Sequence, residues 1–265
     1  MSKMFESLRR AEAARKKQTA PPAVVPDKPT IEPVPRLEPP ISPLRPEPGL
    51  VAVNGMPVDF LRELGILKNS IESALGRLEK RSILFAGSAE REGTTTIVVS
   101  FAKLLSIQTR EKVLLIEMNA RRPALASRMG LQTRAGVTEF FAGAATFDEI
   151  VERSREGTFD VIHVGEHEPA KIQLHLDQMF PKLLEAARLR YDTVLVDAPP
   201  VVVSPETPPL SSFVDGVVIV IQCGRTKREV IRRSLNMIEQ FEGKVVGLVL
   251  NRKKYFIPDF IYRRI

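Results

Sequence analysis

The chain of 265 residues carries 39 Lys and Arg against 32 Asp and Glu, a net charge of +7, with one cysteine and no tryptophan. A single cysteine rules out an intrachain disulfide framework, no apolar run approaches the roughly 20 residues that span a bilayer, and the charged stretch from Met1 to Gln18 has no apolar core of a secretory signal. The expected location is the cytoplasm, peripheral at the inner face of the cell membrane. There the basic surface favours an anionic membrane or an acidic partner, and without an RNA-binding aromatic signature no specific nucleic acid is expected.

Residues 1–18 place Met4, Leu8, Ala11 and Arg15 at helical spacing, which predicts an amphipathic N-terminal helix suited to docking. Residues 19–50 form a linker. Eleven of the 21 prolines lie between Pro21 and Pro48, and such a segment cannot propagate a helix or a strand ladder, so a disordered, extended spacer is expected. Residues 51–251 remain for one well-buried core. Residues 252–265 are a basic tail with two tyrosines, Tyr255 and Tyr262.

Within the core region, Phe60, Leu64, Leu67, Ile71, Ala74, Leu75 and Leu78 share one face of a helix expected over Val58 to Leu78. Strands and helices then alternate. Strands are expected at Ser82 to Ala86, Val113 to Ile116, Asp160 to Val164, Thr193 to Val196, Val217 to Ile221 and Val245 to Leu250. Helices are expected at Thr95 to Ile107, Thr146 to Arg155, Phe180 to Arg190 and Lys227 to Phe241. The strands are continuous Val, Ile and Leu runs, the pattern of strands buried on both faces. They therefore predict an α/β fold with a parallel sheet wrapped by helices on both faces. Cys223 lies in an apolar run and reads as a buried structural thiol. Ligands of such sheets bind at the carboxyl ends of the strands.

Three of those ends carry chemistry. After the first strand, Gly87-Ser88-Ala89-Glu90-Arg91-Glu92-Gly93-Thr94-Thr95-Thr96 leads into a helix, the layout of a P-loop. In a working P-loop, glycines let backbone amides cradle phosphates, a Lys reaches the β- and γ-phosphates, and the following Ser or Thr holds Mg²⁺. Gly93 and Thr95 are in place, the Lys position is Thr94, and Arg91 stands where a glycine is expected. The second strand ends in Glu117-Met118-Asn119-Ala120-Arg121-Arg122-Pro123, and a later one in Asp197-Ala198-Pro199-Pro200. Gly224-Arg225-Thr226 leads the last helix and Asn251 closes the last strand.

From about Val58 to Asn251 the order and spacing of these five motifs resemble the cytoplasmic kinase domain of bacterial tyrosine kinases (BY-kinases, CpsD-like). These are the autokinases that regulate capsule and exopolysaccharide export, with the MinD/ParA branch of P-loop NTPases as wider kin. The opening Ser2-Lys3-Met4-Phe5-Glu6-Ser7-Leu8 is similar to the N-terminal segment of exopolysaccharide-linked members. The resemblance implies a P-loop architecture of the MinD/ParA type. It also implies a nucleotide site made of Arg91, Gly93, Thr94, Thr95, Thr96 and Asn251, the last against adenine. Metal would be held by Thr95 and by Asp197, the family's Walker B aspartate. Catalytic positions would be Asp197, Glu117 and Asn119, the last two replacing the aspartates of the family's D-x-D-x-R-x-P motif, and Glu206 stands for a further aspartate. Arg62 and Gly65 occupy places where the family's oligomerising helix has Glu and Arg, which puts ring assembly in doubt. Tyr255 and Tyr262 are the phosphoacceptor candidates.

Losing the charge partner of a phosphate costs roughly 3–5 kcal/mol, on the order of a thousandfold in affinity, and phosphoryl transfer depends further on positive charge. Glu90 and Glu92 add negative charge beside the loop, with Arg91 available in partial compensation. ATP and Mg²⁺ are thus expected to bind weakly or not at all. The expected function is a pseudokinase-like regulatory or scaffold component of exopolysaccharide or capsule biosynthesis and export. Its expected partner is a separate membrane chain-length regulator (polysaccharide co-polymerase), with self-association a further possibility. The alternatives are a divergent but active tyrosine autokinase of the same pathway and a MinD/ParA-like positioning ATPase.

Overall fold

A computed structural model of the chain describes residues 56–76, 78–131, 135–154, 158–166 and 170–253. The expected N-terminal helix, the Pro-rich linker and the tail tyrosines lie outside the described residues. In chain order the elements are α1 (Val58–Leu75), β1 (Arg81–Gly87), α2 (Thr94–Leu104, continued by a π-turn over Leu105–Thr109), β2 (Val113–Glu117) and α3 (Leu125–Met129). They continue with α4 (Val137–Phe141), α5 (Phe147–Ile150), β3 (Glu152–Arg153), β4 (Asp160–Ile162), α6 (Ala170–Arg190) and β5 (Thr193–Asp197). The last are α7 (Thr207–Leu210), β6 (Gly216–Gln222), α8 (Arg228–Gln240) and β7 (Val245–Asn251). The seven strands are ordered β3-β4-β2-β5-β1-β6-β7. All neighbours are parallel except β3 with β4.

Two apolar layers enclose the sheet. On one face α1, α2 and α3 pack Leu61, Leu64, Phe101 and Leu125 against Ile83, Phe85 and Leu115. On the other, α4 to α8 pack Phe141, Phe180, Leu184 and Ile238 against Leu84, Ile116, Val196 and Ile219. The core strands are buried on both faces because helices cover both, which is why they read as unbroken apolar runs. β7 departs from that expectation. It is the sheet edge, and Leu248 and Leu250, aligned with Ile219 and Ile221 of β6, remain 48% and 62% exposed.

Other local expectations are corrected. The helix expected at Thr146 to Arg155 is only α5, opened by a reciprocal Thr146–Glu149 capping pair. Val151 is extended, and Glu152 and Arg153 join the sheet against β4. The helix placed at Phe180 begins at Ala170 and runs through Pro181, a residue that resembles a helix start by sequence. α1 stops at Leu75, before Gly76, and Cys223 is exposed in the turn after β6.

At the amino ends of the strands a polar clamp joins β1, β6 and α6. One carboxylate oxygen of Asp215 accepts from the Ser82 amide (2.7 Å), the Ser82 hydroxyl (2.8 Å) and Arg188 (2.9 Å). Asp215→Ala removes all three acceptor contacts and is expected to lower unfolding free energy by about 2–3 kcal/mol, read from urea unfolding without change in the denaturant slope.

Candidate functional site

The carboxyl ends of β1, β2 and β5 lie side by side at the centre of the sheet, with Phe85 paired to Asp197 and Glu117 to Asp197. The loop from Gly87 to Gly93 leaves β1 and enters α2, so the first-turn amides of an 11-residue helix face the loop. Gly93 has φ of 90°, and a Cβ there would meet Asn251 Nδ2 at 2.3 Å. Only glycine fits. Arg91 also takes a left-handed conformation, φ 64°, at the position where the family pattern has glycine. A side chain there carries a strain that glycine would not.

The loop is braced from behind. Glu92 is buried, accepting from the Ala89 amide (2.8 Å) and from the Thr226 hydroxyl. Asn251 donates its amide to the Glu92 carbonyl (2.7 Å) and accepts from the Arg252 amide (2.8 Å). The structure therefore places Asn251, expected against adenine, under the loop. Glu90 pairs with Arg122 at 3.1 Å. Glu90 therefore has a cationic partner, whereas the hydrogen bonds of Glu92 come from neutral donors. A cavity of about 490 Å³ opens beside the loop, lined by Ala89, Glu90, Glu92, Arg225, Thr226 and Lys227 among others.

Asp197 is 1% exposed, and neither of its oxygens has a hydrogen-bond partner. Burial pushes its pKa up to about 7, with the negative charge of Glu117 adding to the rise. The Thr95 hydroxyl and the Arg128 guanidinium oppose it, Thr95 lying close but at a geometry that satisfies neither oxygen. Ser88 and Ser204 are also buried with unpartnered hydroxyls, on segments joined by the Val201 amide to the Gly87 carbonyl (2.8 Å). Buried orphan polar groups of this kind are uncommon and mark a place where a bound group would be accommodated.

Glu117 has a different fate. It is fully buried, and burial raises its pKa against the opposing effect of three backbone amides. Oε1 accepts from Ala124 (2.6 Å) and Leu125 (3.0 Å), the start of α3, and Oε2 from Val164 (3.4 Å). Its carboxylate is committed to holding backbone. Asn119 is half-buried in the same loop, and Glu206 lies 3.7 Å from Arg121. Thr94, Thr95 and Thr96 form the first turn of α2. Thr96 is bonded by Arg128 of α3, Nη1 to Oγ1 3.2 Å. Sequence reasoning passed over Arg128 and Ser204, which no local pattern marks, whereas Ser88 stood in the loop and Thr226 in the Gly-Arg-Thr turn already noted.

Arg62 pairs with Asp59 one turn away, at 3.6 Å, on the exposed side of α1, and Gly65 has open space around it. Among the described residues no cluster of three His, Cys, Asp or Glu side chains is placed to hold a metal by itself. Mg²⁺ needs little from the protein when nucleotide phosphates complete its shell. Asp197 and the Thr95 hydroxyl fit such an ion, and the α2 amides fit the phosphates. When bound, Mg·ATP supplies a divalent charge and a transferable phosphoryl group. The residues present fit the metal end, and the phosphate end lacks its lysine.

A glycine-bounded loop from the first parallel strand into a helix, with an aspartate on the neighbouring strand end, defines a P-loop-type α/β domain. No family model matches the chain. It is 26% identical over 188 residues to tyrosine-protein kinase YwqD of Bacillus subtilis, covering 71% of this chain and 79% of that one. It is 27% identical over 175 residues to tyrosine-protein kinase CpsD of Streptococcus agalactiae, covering 66% and 76%. It spans only 27% of the tyrosine kinase ptk of Acinetobacter johnsonii and 25% of etk of Escherichia coli. Among solved structures, the kinase domain of E. coli ETK matches with a TM-score of 0.69 at 24% identity, covering 75% of this chain and 78% of that one. The VpsO kinase domain matches at 0.64 and 27%, covering 74% and 98%. The septum site-determining protein MinD of Pyrococcus horikoshii shares the fold at 0.56 and 15%, covering 70% and 76%. By sequence the chain is thus similar to the BY-kinase, CpsD-like tyrosine-protein kinases, and it shares a P-loop-type α/β fold with the MinD structure.

Proposed function

We propose that this chain is a regulatory or scaffold component of exopolysaccharide or capsule biosynthesis and export, a pseudokinase-like relative of the BY-kinases acting with a membrane chain-length regulator. One observation carries the reading. The site keeps an orphaned Asp197 beside Thr95 but has Thr94 where the phosphate-binding lysine belongs. The second acidic position, Glu117, is spent on backbone amides. A metal-side carboxylate without a phosphate cation supports weak nucleotide binding and little transfer, because phosphoryl transfer relies on positive charge around the moving group. No helix among the described residues is long and apolar enough to cross a membrane. The regulator we propose is a membrane protein engaged through the basic surface or residues 1–18.

Purified full-length chain incubated with labelled ATP and Mg²⁺ is expected to incorporate no label on tyrosine, Tyr255 and Tyr262 included. Deletion of its gene is expected to alter polymer export, and tagged chain to co-purify a chain-length regulator from membranes. Efficient tyrosine phosphorylation in that assay would replace this reading with an active autokinase, which the retention of both Asp197 and Thr95 favours. Unchanged export would remove the pathway assignment.

A further inference from the structure

The lysine missing at Thr94 leaves α2's first turn without a cation from its own loop, yet a guanidinium reaches that turn from another element. Arg128 sits on α3 and donates from Nη1 to Thr96 Oγ1 at 3.2 Å. Thr96 and Arg128 are both exposed, so a ligand has access to the guanidinium. The helix N-terminus is not the whole of this site. Asp197, 1% exposed and without a hydrogen-bond partner on either oxygen, stands next to Thr95 on the same turn and calls for a cation-carrying ligand.

What holds Arg128 there is the substitution that seemed to damage the site. Glu117 Oε1 takes the Ala124 and Leu125 amides, the first free donors of α3, and Oε2 ties the same carboxylate to Val164, two residues past β4. Leu125 is fully buried below. A helix of five residues has little stability of its own, so its direction depends on these anchors. An aspartate at the same strand position would carry its carboxylate one methylene less far, about 1.5 Å.

We infer that Arg128 supplies, from α3, the positive charge toward a bound triphosphate that the loop lacks at Thr94, and that Glu117 is the residue positioning it. The inference rests on the reading that the site binds Mg·ATP weakly. It gives the weak site a cation of its own and turns Glu117 from a lost acid into a support. Guanidinium is suited to this role because its planar donor fork matches phosphate oxygens and it stays charged at all accessible pH.

The test is calorimetric titration of the full chain with Mg·ATP and, separately, adenosine, at low and moderate salt. Arg128→Gln is expected to weaken Mg·ATP binding about tenfold or more and to flatten its salt dependence, with adenosine affinity unchanged. Arg128→Lys is expected to retain part of the affinity. Glu117→Gln keeps an acceptor for the α3 amides and is expected to bind nearly as the parent does. Glu117→Ala is expected to weaken binding as Arg128→Gln does, and the pair combined is expected to be no weaker than either alone, since both act through one route. Circular dichroism and urea unfolding identify any variant that does not fold, and Arg128→Gln, a surface change, carries the test if Glu117→Ala fails. Equal losses for ATP and adenosine, or an Arg128→Gln variant that binds as the parent does, would overturn the inference. Additive losses would overturn the positioning role of Glu117. A parent chain that binds no Mg·ATP would also overturn it while leaving the scaffold reading intact, whereas efficient phosphotransfer would remove the scaffold reading and leave Arg128 to be judged by its own variants.

Discussion

Replacing Thr94 by Lys and Arg91 by Gly in one chain is expected to tighten Mg·ATP binding by roughly 3–5 kcal/mol, on the order of a thousandfold. The lysine returns the charge that P-loop chemistry places against the β- and γ-phosphates. The glycine relieves a side chain held at φ 64°, a conformation costing about 1–2 kcal/mol for a residue with a Cβ. The rest of the loop is already formed: Gly93 is packed on Asn251, Glu92 is tied to Ala89 and Thr226, and Asp197 stands unpartnered beside Thr95. Catalysis is expected to recover less, because Glu117 remains engaged with Ala124, Leu125 and Val164. Calorimetry with Mg·ATP checks the gain. If Arg128 already provides part of the charge, the gain is larger in an Arg128→Gln background than in the parent. No gain in a double variant of unchanged circular dichroism would mean that the pocket is closed and that no step depends on nucleotide.

Stability is expected to fall as pH rises from about 4 to about 7, and Asp197→Asn is expected to abolish most of that fall. The sign follows from proton counting. Burial raises the Asp197 pKa from 3.8 to about 7, so between those values the folded chain holds a proton that the unfolded chain has released. The stability this confers is fully present below pH 4 and is lost through the folded pKa. Three pH units at about 1.4 kcal/mol each set an upper scale on the order of 4 kcal/mol. Glu117, also raised by burial, acts in the same direction and leaves a residual slope in the variant. Carboxylates held low by partners, such as Glu72 beside Lys68 and Arg81, act with the opposite sign in more acidic solution, so measurements between pH 5 and 8 isolate the effect. Urea unfolding of parent and Asp197→Asn at pH 5, 6, 7 and 8 checks it. Mg·ATP, which favours the ionised carboxylate, is expected to raise the parent's midpoint at pH 8 and not the variant's. Coincident, flat profiles for the two chains would refute the assignment of a strained, ligand-seeking carboxylate.

The alternation of helix and strand, the parallel sheet and the ordered loops at strand ends were all legible in the sequence. Each depends on short-range patterns, such as the apolar run Ile83 to Ala86 or the step from Gly93 into Thr94, Thr95 and Thr96. The absence of a lysine at position 94 needed no structure either. Legibility failed where an element's state depends on what covers it. β7 reads like a central strand, and only its place at the sheet edge leaves Leu248 and Leu250 exposed. Glu152 and Arg153 continue a helical pattern, and only pairing with β4 makes them strand. The site was harder still, because its hydrogen bonds join residues that no local pattern connects. Thr96 and Arg128 are 32 positions apart, and Glu92 and Asn251 are 159 apart. The family resemblance named Glu117, Asn251 and Asp197 as site candidates. Whether a carboxylate faces a ligand or a row of backbone amides depends on which donors the fold brings within about 3 Å of it. The tertiary structure alone turned Glu117 toward α3 and left Asp197 bare.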